Sequence, residues 1–386
     1  MIPPDPLGWA ACLDDLRQVA DRLRARVSDG REAEMAVKMF GAVMGAYLTH
    51  LWAEPDHTAF LPSVGYYQMY GTPNPDTVYR NAAIDGAGEY LLHGHRGTVP
   101  DVTIMPFGPP AAGGLRTFGP FDFNDLTIGD DGTFEVVLSA KRPDAAANWW
   151  RLEPDMRTLM LRSVSDDWGA HVEPRVAIVR LDTDPRRVRV DPDALRRRLG
   201  SLAAVVEAMV TSGLNRVAAL RSEGVVNRLT IVDYSANGGL GDQWYHEGCF
   251  ALGDGEVLVL EARPSPEVRA FSLALTDPYF STIDWANAQS SLNHNQADVD
   301  ADGTLRAVVA PSDPGVRNWL DTTGHRFGVV QCRWMGGTRP PDVSVTLVQE
   351  ARLFDALPSP VERVTPQERS LVVRARQIGV QLRSRW

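Results

Sequence analysis

Two blocks of short alternating runs, divided by one long helical block, constrain this chain more than anything else in it. The first block holds Glu89–His93, Val102–Met105, Thr133–Ser139, Thr158–Val164 and Val176–Leu181. The second holds Glu256–Ala262, Ala270–Leu275, Leu305–Val309, Gly328–Trp334 and Val343–Val348. Side chains two residues apart share a strand face, so each run predicts a short strand. Asp85-Gly86, Gly113-Gly114 and Asp131-Gly132 mark turns between them. Asp302-Gly303 predicts a hairpin joining Ala297–Asp300 to Leu305–Val309. Many short strands at this spacing point to antiparallel sandwiches or jelly rolls. Between the blocks, Asp191 reads as an N-cap with Pro192 at the first helical position. Leu195, Leu199, Leu202, Val206 and Val210 then keep helical spacing until Gly224 closes the segment.

The two ends read as helical. Trp9, Leu13, Leu16, Val19 and Leu23 form one apolar stripe. A second helix runs from about Glu32 to Trp52, capped by Ser28 or Asp29 and ended by Pro55. Near the C-terminus, Thr365-Pro366-Gln367-Glu368 is a capping-box pattern. The expected fold is therefore mostly β with helices (α+β), built on two β-sandwich or jelly-roll-like modules. Its expected parts are an N-terminal helical segment (1–60), a first sandwich (61–185), a connecting helix (186–224), a second jelly-roll-like module (225–350) and a tail with a helix (351–386).

Composition narrows the function. The chain has 386 residues and a formal net charge of −10, which argues against a nucleic-acid partner. Its three cysteines show no metal-ligand spacing. The start, MIPPDPLGW, has neither a basic nor an apolar leader region. No continuous run approaches the ~20 apolar residues of a membrane span. A cytoplasmic protein acting on a small molecule is expected, without nucleic acid or membrane as partner and with a homo-oligomer as the assembly to test. The motifs of dinucleotide, P-loop, nucleophile-elbow and zinc-protease sites are missing, so no cofactor and no metal is expected.

Three patches concentrate polar and aromatic side chains. In Asn74–Arg80, Asp76 is a candidate base, and Tyr79 and Arg80 are candidate substrate ligands. In Gln243–His246, Tyr245 and His246 are candidate catalysts; Tyr245 and Glu247 share one strand face, Trp244 and His246 the other. The third patch, Asp313–Trp334, carries Asn318, Trp319 and Arg333 as binding candidates. Two further candidates come from strands. Glu261 lies on a strand apolar on both faces and calls for a partner, with Arg333 the expected one. Asn293 and His294 lie in an amide-rich run that suits a hydroxylated ligand.

Several of these runs carry a family resemblance. NPDTVYRNAAIDGAGEYLLHGHRGTV, LEPDMRTLMLR, YHEGCFALGDGEVLVLEARP and DADGTLRAVVAPSDPGVRNWLDTTGHRFGVVQCRW resemble bacterial proteins of the domain of unknown function 1214 family. The N-terminal β part resembles the companion domain of unknown function 1254 family. The likeness covers roughly Pro73 to Trp334 and is strongest over Asp302–Trp334. It implies a mostly β architecture with jelly-roll-like sandwiches and a few helices, and it implies no particular reaction.

These readings lead to one expectation and two alternatives. The expectation is a soluble enzyme using cofactor-independent acid–base chemistry (hydrolase, lyase or isomerase) on a small hydroxylated or lipophilic metabolite. His246, His294 and Glu261 would move protons, and a shared pocket between the sandwiches would gather them with Asp76, Tyr79 and Tyr245. The alternatives are a non-catalytic carbohydrate- or lipid-binding module and an assembly protein joined through its helices.

Overall fold

In the computed structural model, which describes residues 5, 7–27, 32–111, 114–186, 191–234, 238–239, 241–358 and 361–383, both blocks form packed sheets. The first block gives β1 (Leu61–Pro62), β2 (Thr77–Ala83), β3 (Tyr90–His95), β4 (Asp101–Ala111), β5 (Gly114–Thr117), β6 (Phe121–Asp122), β7 (Thr133–Ser139), β8 (Trp149–Arg151), β9 (Thr158–Val164) and β10 (Arg175–Arg180). One sheet runs β1-β2-β9-β4-β5, with β6 on β4; the other runs β10-β3-β7-β8. Alternation selects the inner faces: Leu159 and Leu161 of β9 meet Leu92 of β3 and Val136 and Leu138 of β7 in one core.

The second block gives β11 (Thr230–Val232), β12 (Gln243–Ala251), β13 (Glu256–Arg263), β14 (Val268–Thr276), β15 (Ser291–Asn293), β16 (Leu305–Ala310), β17 (Trp319–Asp321), β18 (Phe327–Gly336) and β19 (Asp342–Gln349). The sheet β11-β12-β18-β14-β15 packs on β17-β16-β13-β19 through Phe250, Leu258, Leu260, Leu273, Val330 and Trp334. The protein is thus mostly β with helices, in two sandwich-like modules. The expected strand Ala297–Asp300 does not form; only Val299 bridges Leu305. Its backbone is engaged otherwise, because the Asn318 amide donates to Asp298 O (2.6 Å) and accepts from Asp298 N (2.9 Å).

The helices are α1 (Trp9–Arg24), α2 (Glu32–Ala46), α3 (Pro192–Ser222), α4 (Leu353–Ala356) and α5 (Pro366–Leu382). Beyond α2 the chain continues as a π-helix, Tyr47–Trp52. The Ser28 and Asp29 cap positions and Gly113 lie outside the described residues. Asp191 caps α3 by accepting from Asp193 N and Ala194 N, and Gly224 follows it at φ 68. By length and composition α3 is apolar enough to cross a membrane. Its apolar stripe is occupied within the protein. Leu199, Leu202, Val206 and Val210 pack on α1 and α2, and Val217 and Leu220 pack on Cys249 and Val329 of the second module.

The capping box forms as expected, with Thr365 accepting from Glu368 N. From α5 three arginines, each seven residues from the next, point into the protein and are buried. Arg369 binds Asp313 and Gln289. Arg376 binds Trp285 O, Gln296 and Ser291. Arg383, just past the helix, reaches the first module and binds Glu173 and Asp76 O. The helix therefore ties the two sandwiches together behind the face that each turns toward the other.

Candidate functional site

Inward alternation in each sandwich leaves a second face on β2, β9, β12 and β18. Those faces border a cavity of about 950 Å³, closed on one side by α3 and on another by the segment 70–74. On β2, Thr77, Tyr79 and Asn81 line it; on β9, Met160, Arg162 and Val164 do. The second module contributes Gln243 and Tyr245 of β12 and Gln331 and Arg333 of β18. The volume lies in the range of small-molecule sites.

Each module presents the same cross-strand pair. Tyr79 lies directly opposite Arg162, with the guanidinium 5.9 Å from the ring centre. Tyr245 lies directly opposite Arg333, at 6.0 Å. Both distances are those of a cation resting on an aromatic face. An amide flanks each pair: Asn81 sits two residues beyond Tyr79, and Gln331 two residues before Arg333. Asn81 Oδ1, Gln331 Oε1, Arg162 Nε and Arg333 Nη1 are buried without a hydrogen-bond partner among the described residues. Such groups are uncommon in folded proteins and call for a physical explanation.

Behind this surface lies Glu247, which is fully buried. It accepts from Arg216 Nε at 2.7 Å, Tyr234 Oη at 2.6 Å and Gln331 Nε2 at 2.6 Å. Three cavity-lining side chains are thus oriented by one carboxylate. Burial and the Glu247 charge push the Tyr234 hydroxyl well above its usual range. Burial alone pushes Tyr70 up to about 12. Both phenols are neutral donors at neutral pH.

The segment 70–74 is stitched to the second module. Arg333 Nη2 donates to Thr72 O at 2.7 Å, Thr282 to Pro73 O at 2.9 Å, and Ser272 to Asn74 Oδ1 at 3.0 Å. Thr72 has φ 53 and Phe280 has φ 63; both line the cavity. A left-handed conformation costs a branched or bulky residue about 1–2 kcal/mol, and such strain gathers at functional sites. Phe280 comes close because residue 213 of α3 is glycine; a Cβ there would lie 2.8 Å from Tyr279 O.

The structure brings the three sequence patches together in part. Tyr79, Tyr245 and Arg333 line the cavity, with Asn74, Gln243 and Gln331 from the same patches. The expectation of one pocket holding every candidate is not met. His246 points from the opposite face of β12 into the second sandwich, where its Nδ1 accepts from Trp334 Nε1 at 3.0 Å. Burial lowers its pKa, against an opposing pull from Asp342. Glu261 lies on the far sheet of that sandwich and is bonded to Arg306 at 2.6 Å, directly across the ladder. Its expected partner Arg333 belongs to the other sheet. His294 is exposed and packs edge-on against Phe271, because β15 ends at Asn293 and the chain turns there.

Asp76 is buried behind the cavity wall and accepts from Trp168 Nε1 (2.8 Å) and Asn293 Nδ2 (2.6 Å). Burial raises its pKa, and those bonds oppose the rise. Asn293 is committed to that bond and to Asp166 O. Arg80 is buried on β2 but, one residue from Tyr79, faces away from the cavity. Asn318 holds backbone, as described above. Trp319 donates to Ala310 O at 3.0 Å and packs under Arg369. These side chains organise the two modules and their junction.

Arg162, Arg216, Tyr234, Asn81 and Glu247 escaped sequence reasoning. For two of them a signal existed. Arg162 alternates with the core residues Leu159 and Leu161, which places it on the outer face of a strand that was recognised. Glu247 shares a face with Tyr245, and it was the other face of that strand, with His246, that turned inward. Arg216 and Tyr234 gave no signal, because only the docking of α3 and of residues 230–234 carries them to the cavity.

No protein-family model matches the chain, and no curated protein does. Solved structures similar to it include two that cover more than four fifths of the chain. The VPA0106 protein from Vibrio parahaemolyticus is 13% identical with a TM-score of 0.45, over 81% of this chain and 98% of that one; a likeness so low carries no argument. An uncharacterised protein from Burkholderia cenocepacia is 30% identical with a TM-score of 0.82, over 89% of this chain and 97% of that one. This chain belongs to the same family as that Burkholderia cenocepacia protein.

Proposed function

We propose that this protein binds a small organic anion in the cavity between its two sandwiches. The charge of the lining is the observation that carries this reading. Among the described residues the cavity is lined by Arg162, Arg216 and Arg333 and by no Asp, Glu, Lys or His. Arg216 is neutralised by Glu247 at 2.7 Å. Arg162 and Arg333 form no ion pair among the described residues, and Arg333 is 6% exposed. A guanidinium held away from water needs a counter-charge, and its planar fork suits a carboxylate. Met160, Met209, Phe107 and Phe280 would receive the apolar part of the ligand. The proposed membership of the domain of unknown function 1214 family, carried by roughly Pro73 to Trp334, spans most of both cavity-facing sheets and favours no particular ligand.

The strained backbone at Thr72 and Phe280 favours a second reading, in which the bound anion is also transformed by acid–base chemistry. Tyr70, Tyr79 and Tyr245 are then cavity-lining phenols that carry a transferable proton. The test is isothermal titration of the protein with a panel of organic acids, followed by product analysis. Arg333→Met should weaken the best acid about ten- to a hundredfold, the value of one charged hydrogen-bonding partner. Unchanged affinity in both Arg162→Met and Arg333→Met, or equal affinity for neutral amide analogues, would remove the anion reading.

A further inference from the structure

Resting on that anion reading, we infer that the ligand is two-ended: an α,ω-dicarboxylate whose acidic groups meet Arg162 on one module and Arg333 on the other. Charge balance supplies the first argument. Among the described residues, three lining arginines less the one charge of Glu247 leave two positive charges without an ion-pair partner. One carboxylate would leave the second guanidinium without a counter-charge, half-buried in the case of Arg162. Placement supplies the second argument. The two guanidinium groups without an ion pair among the described residues stand on different sheets of different modules, each laid over a tyrosine directly across the ladder. A ligand with an acidic group at each end would meet one on each wall.

The amides supply the third argument. Asn81 Oδ1 accompanies Arg162, and Gln331 Oε1 accompanies Arg333, and both oxygens lack a donor. Each wall therefore offers a cation and an acceptor side by side, which fits a carboxyl group with an adjacent hydroxyl or amino group. The apolar side chains Met160, Met209, Phe107 and Phe280 belong to the same cavity and suit a carbon chain between the ends. A ligand of this form joins the two modules, and its binding would stiffen their junction.

The experiment compares succinate, adipate, suberate and sebacate with butyrate, hexanoate, octanoate and decanoate by isothermal titration on wild type, Arg162→Met, Arg333→Met and the double variant. The expected result is that one diacid binds at least about tenfold more tightly than its equal-length monoacid, and that either single substitution abolishes this advantage. Thermal melts check that the variants fold. Should a Met variant melt early, Arg162→Lys and Arg333→Lys keep the charge and stem while losing the planar fork, and the same loss of advantage is expected. Monoacids binding as tightly as diacids, or one arginine mattering alone, overturn the two-ended ligand while leaving the anion cavity standing. Phenyl phosphate binding more tightly than every diacid does the same. No binding of any acid, with no response to either substitution, overturns both readings.

Discussion

Substituting Glu247 by Gln tests the design of the cavity wall. The side chain is fully buried and receives three donors, from Arg216, Tyr234 and Gln331, at 2.6–2.7 Å. The glutamine amide keeps one oxygen and places an NH₂ group against the remaining donors. Hydrogen bonds to a charged acceptor contribute about 1.5–3 kcal/mol each but do not add within one network. Breaking a buried ion pair from one side costs about 3–5 kcal/mol. Arg216 is 26% exposed and water recovers part of its charge, so the expected loss is about 2–4 kcal/mol. For a unit of this size each kcal/mol moves Tm by about 2–4 °C, giving a fall of roughly 5–15 °C. The comparison is Glu261→Gln. That carboxylate is 40% exposed, and its partner Arg306 keeps Asp300 and Asp302, so the expected change is within about 1 kcal/mol. Calorimetry or thermal fluorescence reads both variants. Equal shifts for the two, or an unmoved Tm in Glu247→Gln, would refute the reasoning that Glu247 organises this wall.

Two further predictions concern the scaffold. Arg383→Ala removes the ion-pair partner of the buried Glu173 and a donor to Asp76 O and Ser163 O, a loss of about 3–5 kcal/mol in chemical denaturation; pairing Arg383→Met with Glu173→Met should recover most of it. His246 has a folded-state pKa below the unfolded value of 6.5, so between the two the unfolded chain binds the extra proton and stability falls as pH drops. Tm should therefore decline less steeply from pH 7.5 downward in His246→Gln than in wild type, and parallel curves would show that the ring is not held neutral.

Much of the chain was legible because strand alternation and helix capping are local. Thr133–Ser139 and Thr158–Val164 have the bounds that the apolar periodicity assigns, and Asp191 and Thr365 cap the helices they announce. The sequence also placed Tyr245 and Glu247 on one face and His246 on the other. What it could not assign was which face meets the cavity, because either is compatible with the same period of two. Residue chemistry then misled: His246 and Glu261 have the side chains of catalysts, but one closes a tryptophan hydrogen bond in a core and the other an ion pair on an outer sheet.

By itself, then, the sequence determined the elements, their two blocks and the dividing helix, since each depends on neighbours within a few positions. It also contained both tyrosines of the cross-strand pairs. Tertiary structure decided the rest. Arg162 meets Tyr79 from 83 positions away only because β2 pairs with β9, and Arg333 meets Tyr245 only because β12 pairs with β18. The cavity itself exists because α3 and α5 hold two outer sheet faces toward each other. That arrangement depends on packing between distant segments, which no local pattern encodes.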